Sequence, residues 1–308
     1  MAAPTDLARW AAKKATRSGL RLPGVTPGLQ WFSRHGLLRR SIWRRLPVPS
    51  PVTVTMPDGA RFRFAGVEKD ERGYFWGGAD WREGTTAHVF VALAREARTV
   101  VDVGANAGLY SLMALATSPS VRLLAYEPAP ATHTLLCENL RANGFASRCV
   151  VRERAASDSA GVAQFHVPDR IEWAVMASLD PDGFRGIDGE VISVVTERVD
   201  DALDELDLAH TVDLVKIDVE HFEHLVLRGM ERTLTRARPP VVFEAHPDGP
   251  YEVVGTILRD HDYVLYGCLP FGLRPVAAIP EAFGNLLALP AGRRPPVLAA
   301  HRRRRGLG

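Results

Sequence analysis

The sequence predicts an α/β protein whose core is a doubly wound, mostly parallel sheet. Two observations carry that reading. From about residue 85 onward, short β-branched apolar runs alternate with helix-length segments, the rhythm of strands laid side by side with helices covering both faces. One run, Val100-Val101-Asp102-Val103, passes straight into Gly104-Ala105-Asn106-Ala107-Gly108 before the next helical segment. That is where an open α/β sheet receives a ligand. The composition allows such a core: 46% of the 308 residues are hydrophobic and 24% charged, ordinary values for a soluble globular protein.

In chain order, residues 1–50 are rich in Arg, Trp and Pro and hold two helical patterns, at 7–17 and 29–45. The second sets Trp31, Leu38 and Ile42 at helical spacing opposite several arginines. Residues 52–64 change to short alternating runs around Pro57-Asp58-Gly59, the signature of a β-hairpin. Strands follow at 99–103, 121–126, 150–153, 212–217, 241–244 and 263–266, with helices at 108–117, 130–143, 222–236 and 250–260. The stretch 161–196 breaks this rhythm and reads as a strand pair with a Gly/Asp-rich loop, inserted before the fourth core strand. The chain thus divides into a helical and hairpin extension (1–84), an α/β domain (85–290) and a basic tail (291–308).

Bulk properties exclude several partners. A formal charge of +2 is no electrostatic footprint for nucleic acid. The local arginine runs, 34–45 and 302–305, read as solvated faces or tails. Three widely spaced cysteines, Cys137, Cys149 and Cys268, form neither a disulfide framework nor a metal signature, which fits a reducing compartment. No signal-peptide core and no uninterrupted membrane span are present. The expectation is a cytoplasmic protein without membrane or nucleic-acid partners, with oligomerisation open.

The glycine turn is sharpened by a second element. The strand at 121–126 ends in Glu127-Pro128, and Glu127 stands 19 positions after Gly108. A carboxylate there accepts hydrogen bonds from both hydroxyls of a ribose. A dinucleotide site would carry G-x-G-x-x-G, with the second glycine making room for pyrophosphate. Here Ala105 and Asn106 separate Gly104 from Gly108 and the third glycine is missing. Asp102, at the strand end, suits an amino group better than a diphosphate. A Rossmann-type NAD(P)-dependent oxidoreductase remains an alternative, as does a non-catalytic scaffold acting through its basic N-terminal helix.

The segments VDVGANAGLYS, YEPAP, CENLRANG, VKIDVEHFEHLVLRGM, VVFEAHP and FGNLLAL, in this order and spacing, resemble the FkbM-type methyltransferases over roughly residues 70 to 290. The resemblance implies a Rossmann-like class I methyltransferase fold with a seven-stranded sheet. It also implies dependence on S-adenosylmethionine and methylation of a hydroxyl on a sugar, polyketide or other secondary metabolite. By the resemblance, Asp102, Gly104, Asn106 and Gly108 line the methionine half of the cofactor, with Tyr110 and Pro128 alongside. Glu127 holds the ribose, Asp158 lies near the adenine, and Glu83, in Trp81-Arg82-Glu83-Gly84, helps to close the site.

An alcohol is a poor nucleophile at neutral pH, so a positioned base is expected. Candidates follow two neighbouring strands: Asp218, Glu220 and His221 after one, Glu244 and His246 after the next. Asp218 serves on both sides, facing the cofactor and the acceptor. His221 departs from the family, which has glycine at that corner. A divalent metal held by Asp218, Glu220, Glu244 and His246 is possible but not favoured, since no compact metal spacing supports it. Lys216 reads as an ordinary strand-end cation paired with an acid, and Glu223 with His224 as a solvated helix face. The extension before residue 85 and the loop at 168–189, with Trp76, Trp81, Trp173 and Phe184, are expected to shape the acceptor pocket and its lid.

Overall fold

The computed structural model describes residues 25–34, 37, 42, 46, 48–49, 51–56, 58–65, 69–78, 81, 83–168, 179, 188–245, 249–270, 272–279 and 284–298. Helix α1 (Val25–Arg34) opens the described chain, four residues earlier than the 29–45 pattern suggests, and leaves Trp31 half-exposed. The 7–17 pattern, the end of the basic tail, Trp173 and Phe184 lie outside the described residues. The hairpin forms as expected from β1 (Val52–Thr55) and β2 (Arg61–Phe64), which pair antiparallel. Helices α2 (Lys69–Gly77) and α3 (Thr85–Ala94) lead into the first core strand.

That strand, β3 (Thr99–Val103), is buried at every position, which explains its continuous apolar run. After it come α4 (Leu109–Thr117), β4 (Arg122–Tyr126), α5 (Pro130–Ala142) and β5 (Cys149–Arg152). The chain then makes β6 (Ala155–Ala156), β7 (Gly161–Pro168) and β8 (Gly189–Glu197), followed by α6 (Val199–Glu205) and β9 (Val212–Ile217). Two short helices, α7 (Glu223–Arg228) and α8 (Glu231–Arg236), precede β10 (Val241–Ala245) and α9 (Tyr251–Asp260). Strands β11 (Tyr263–Leu269), β12 (Gly272–Val276) and β13 (Gly284–Pro290) close the fold.

The main sheet has the order β12-β11-β13-β10-β9-β3-β4-β5. Strands β10, β9, β3, β4 and β5 are mutually parallel, whereas β13 runs antiparallel between β10 and β11. The doubly wound, Rossmann-like architecture is therefore as expected. The sheet has eight strands rather than seven because β12 folds back on β11 at the edge. The insertion at 161–196 is also as read: β7 and β8 form an antiparallel pair, joined by β6 into a separate three-stranded sheet.

Each face of the main sheet carries its own apolar layer. One contains Val52, Phe62 and Trp76 of the extension together with Phe90, Leu112 and Leu136 of α3, α4 and α5. The other packs Leu203, Val226, Leu234 and Leu258 of α6 to α9 onto Val101, Val215 and Phe243. Each fully buried side chain of this size contributes roughly 1.5–3 kcal/mol relative to exposure. Asn139 of α5 and Asn143, which caps its C-terminus, tie the hairpin to the core. Asn143 Oδ1 accepts from Arg63 N at 2.8 Å, and Asn139 Oδ1 accepts from Ala65 N at 2.7 Å. Asn139 Nδ2 also donates to Ala107 O in the glycine turn, so the extension and the turn share one buried anchor.

The helix expected over 222–236 is instead two, separated at Gly229-Met230. A Cβ on Gly229 would come 2.0 Å from Ser157 O, so glycine is required for the chain to pass that carbonyl. Among the described residues no helix is long and apolar enough to cross a membrane.

Candidate functional site

Parallel strands bring their C-terminal ends to one edge of the sheet, and the site is built there. After β3 the chain turns through Gly104 at φ 76°, Asn106 at φ 49° and Gly108 at φ 93°. Gly104 N and Ala105 N both donate to Tyr126 O, at 3.0 and 2.8 Å, which binds the turn to the end of β4. The next residue, Glu127, is 6% exposed. Its Oε2 accepts from Asn106 N and its Oε1 from Ala129 N, both at 2.9 Å. Burial raises its carboxyl to about 7, against the lowering effect of those two amides. Each oxygen retains a lone pair for a further donor.

This turn lines a cleft with about 520 Å³ of empty space. Six residues singled out from the sequence share its wall: Gly104, Asn106, Glu127, Pro128, Asp218 and Glu220. Sequence reasoning missed its other end, where Ala155, Ala156, Phe165 and Leu179 supply apolar surface and Arg154 a cation. Arg154 pairs with Glu197 of β8. No motif marks these residues, because their nearness depends on how the inserted sheet folds back.

Two of the remaining candidates stand behind the cleft wall. Asp102 is buried at 1% exposure, with Ser111 Oγ donating to its Oδ2 at 2.6 Å. Desolvation raises it to about 6 despite that hydrogen bond and the nearby Lys216. Gly108 caps α4. Asp158 does not line the cleft; its carboxylate accepts from Ser159 Oγ at 3.1 Å on the turn after β6.

Beyond Asp218 lies a polar cluster on the α3/α4 side of the sheet. Tyr110 of α4 donates to Glu83 Oε2 at 2.5 Å, and Tyr74 of α2 reaches Glu83 Oε1 at 3.5 Å. Glu83 thus receives hydroxyls from two helices. Lys216, expected to be a strand-end cation paired with an acid, has that partner in Asp218 but is 1% exposed. Its Nζ lies 3.2 Å from Asp218 Oδ2 and 5.0 Å from the centre of the Tyr110 ring. Burial opposes its charge, but Asp218, Glu244 and Glu83 outweigh that and hold the ammonium above its ordinary range. Desolvation, followed by the Asp218 charge, drives the Glu244 carboxyl well upward.

The turn after β9 corrects a second expectation. Glu223 is not on a solvated face: it is 1% exposed, and its Oε1 accepts from Val219 N at 3.3 Å. Desolvation raises it to about 7. Glu220 and His221 adopt φ values of 49° and 81°, a left-handed corner that favours glycine. This gives the physical sense of the expected glycine at 221. His246 lies outside the described residues. Among the described residues, no group of three or more His, Cys, Asp or Glu is arranged to hold a metal.

A family model described as the methyltransferase FkbM domain matches residues 102–265. The 31-O-demethyl-FK506 methyltransferase FkbM of Streptomyces tacrolimicus is 32% identical over 199 residues, covering 56% of this chain and 74% of that protein. The 2-O-methyltransferase NoeI of Sinorhizobium fredii is 32% identical over 150 residues, covering 45% of this chain and 60% of NoeI. A crystal structure of an FkbM methyltransferase from Methylobacillus flagellatus aligns at 18% identity with a TM-score of 0.41, over 62% of this chain and 43% of that longer one.

Proposed function

The chain belongs to the FkbM methyltransferase family, and from that premise we propose that it methylates a hydroxyl group of a small molecule with S-adenosylmethionine. The observation that carries the cofactor assignment is the buried Glu127 carboxylate beside the Gly104 turn, on the wall of a common cleft. The residues present fit the cofactor. A Cβ on Gly104 would come 1.9 Å from Asp218 O, so the turn presents bare backbone, and Glu127 keeps one acceptor site per oxygen for a ribose diol. The hydroxyl acceptor rests on the relatives, whose names specify 31-O and 2-O positions.

When bound, S-adenosylmethionine supplies a sulfonium methyl that an oxygen can take in line. The protein's part is then alignment, charge complementarity and removal of a proton. In this reading Glu127 orients the ribose, and the 104–108 turn and Asp218 face the methionine end. Ala155, Ala156, Phe165 and Leu179 receive the adenine. Glu83, Asp218 and Glu244 face the acceptor, whose pocket is completed by the extension at 1–84 and the 168–189 loop. Asp218 and Glu244 accept the hydroxyl proton. The three free cysteines accord with a cytoplasmic location.

Calorimetric titration with S-adenosylhomocysteine tests the cofactor assignment. The wild-type protein binds with micromolar affinity. Glu127→Gln weakens binding about tenfold to hundredfold, the loss expected when charge-assisted hydrogen bonds worth roughly 1.5–3 kcal/mol disappear. Its urea midpoint does not fall. Absence of binding by the wild-type protein overturns the assignment.

A further inference from the structure

The residues that follow four neighbouring strands stand in one line along the sheet edge. Asp218 follows β9, Gly104 follows β3, Glu127 follows β4 and Arg154 follows β5, and the strands are adjacent in that order. Adjacent strands lie about 4.8 Å apart, so Arg154 stands one strand beyond the carboxylate assigned to the ribose. Glu127 N donates to Arg152 O at 3.1 Å, which binds those two strand ends together. A ribose at Glu127 whose methionine arm runs toward Gly104 and Asp218 therefore carries its base toward Arg154. The charges of the cleft follow the same line. Glu127, Asp218 and Glu220 line one end, and Arg154 is the cation among the described residues of its wall, beside apolar Ala155, Ala156 and Phe165. Arg154 is held from behind. Its Nη1 donates to Oε2 of Glu197, which is 7% exposed, and Arg152 Nε lies 3.7 Å from the other carboxylate oxygen. Ala155 and Ala156 pair with Thr196 and Glu197 along β6 and β8, so the apolar wall and the anchor belong to one sheet.

We propose that Arg154 is a nucleobase-binding residue of the cofactor site, its guanidinium lying against the base, and that buried Glu197 is the positioning residue that fixes it there. This rests on the S-adenosylmethionine reading of the cleft. A guanidinium is flat, carries five N–H donors and stacks on aromatic faces. Glu197 occupies one donor. The others, and the plane, belong to a side chain that is 41% exposed on the cleft wall. Adenine offers the matching surface, an uncharged aromatic face edged by ring nitrogens that accept. A lone arginine side chain would lose rotamer entropy on meeting the base; pairing with a buried carboxylate removes much of that freedom beforehand. The same pairing offsets the Arg154 charge, so this end suits an uncharged base better than a phosphate. The acids stand at the other end, where the cofactor carries its ammonium and sulfonium.

Calorimetry on the full chain with S-adenosylhomocysteine and with adenosine tests this, because both ligands carry the base. Arg154→Leu weakens both by the same factor, about tenfold, within the range for loss of one base-stacking side chain. Arg154→Lys keeps the charge and a partner for Glu197 but not the plane, and stays weakened. Glu197→Gln weakens binding severalfold in the wild-type background and adds no loss in Arg154→Leu, because it acts through the guanidinium. Wild-type affinity in Arg154→Leu, or in Arg154→Lys should the leucine variant not fold, overturns the proposal. So does a loss from Glu197→Gln that persists in Arg154→Leu. An ion pair that only tethers β8 would lower the urea midpoint and leave both affinities unchanged, which is the overturning result. All of these are read against wild-type protein that binds S-adenosylhomocysteine, so failure here is distinct from absence of wild-type binding, which overturns the cofactor reading itself.

Discussion

Gly104→Ala is the substitution whose cost the structure fixes most closely. Gly104 adopts φ +76°, and a Cβ there would lie 1.9 Å from Asp218 O, 2.8 Å from Asp218 C and 3.2 Å from Val219 Cγ1. The nearest atoms are backbone at the end of β9, held by Asp218 N donating to Val103 O at 2.9 Å. They cannot rotate away as a flexible side chain could. The left-handed conformation costs about 1–2 kcal/mol for a residue with a Cβ. Forcing a methyl into a packed site costs typically a further 1–3 kcal/mol. The sum is about 2–5 kcal/mol. Gly59→Ala serves as the control, because Gly59 has φ +88° with nothing within 4 Å of the added Cβ. It carries the conformational cost without the collision, and the unfolded-state gain of roughly 0.4–1 kcal/mol from replacing glycine is common to both. Urea denaturation should therefore place Gly104→Ala about 1–3 kcal/mol below Gly59→Ala. Calorimetry with S-adenosylhomocysteine should find binding lost only in Gly104→Ala. Equal destabilisation of the two variants, or wild-type affinity in Gly104→Ala, would refute the packing argument and the cleft assignment with it.

Two further outcomes follow from the same geometry. His221→Gly relieves a φ of +81° and should raise stability by about 1 kcal/mol, the left-handed cost less the greater chain entropy of glycine; a lower urea midpoint would show that the ring's packing outweighs the strain. Stability should also fall between about pH 4 and pH 7. Asp102 is raised to about 6, and Glu127 and Glu223 to about 7 from an ordinary 4.5, so the folded state binds protons more tightly than the unfolded chain. That contribution is full below the unfolded pKa and lost as pH rises through the folded one. For Glu127 the interval corresponds to roughly 3 kcal/mol at about 1.4 kcal/mol per pH unit. Urea midpoints measured across this range should decline, and Glu127→Gln should flatten part of the decline.

The fold was legible because its signals are local and repeated. The run at 99–103 is buried on both faces, so its positions are apolar except Thr99 and Asp102, whose side chains hydrogen-bond to Thr211 and Ser111. Helices over 109–117, 130–142 and 251–260 carry their own periodicity. The break at Gly229 was not legible, since a glycine in a helical pattern looks like any weak helix former. The carbonyl it must clear belongs to Ser157, seventy-two residues earlier in the chain. The added strand β12 escaped for a related reason: Gly272–Val276 has little burial to imprint a pattern, and its partner on β11 supplies the register.

For the site, the line between legible and illegible follows the strands. Asp102, Glu127, Asp218 and Glu244 are far apart in sequence, yet each ends or immediately follows a parallel strand, and parallel strands end on one edge. That rule needs no coordinates. It says nothing of which face a residue takes or how deeply it is buried, and those two quantities decide its chemistry. Glu223 looked like a surface charge, and nothing in the sequence marked Lys216 as buried, because lysine and glutamate usually lie at the surface; both are 1% exposed. Lys216 shares a sheet face with Asp102 and lies under the Tyr110 ring, so its charge is confined where carboxylates already crowd. A charge with no access to water must be answered by neighbours, and here the neighbours are the acids assigned to the acceptor. Burial thus converts a residue unremarkable in the sequence into the ammonium that holds Asp218 from inside the sheet.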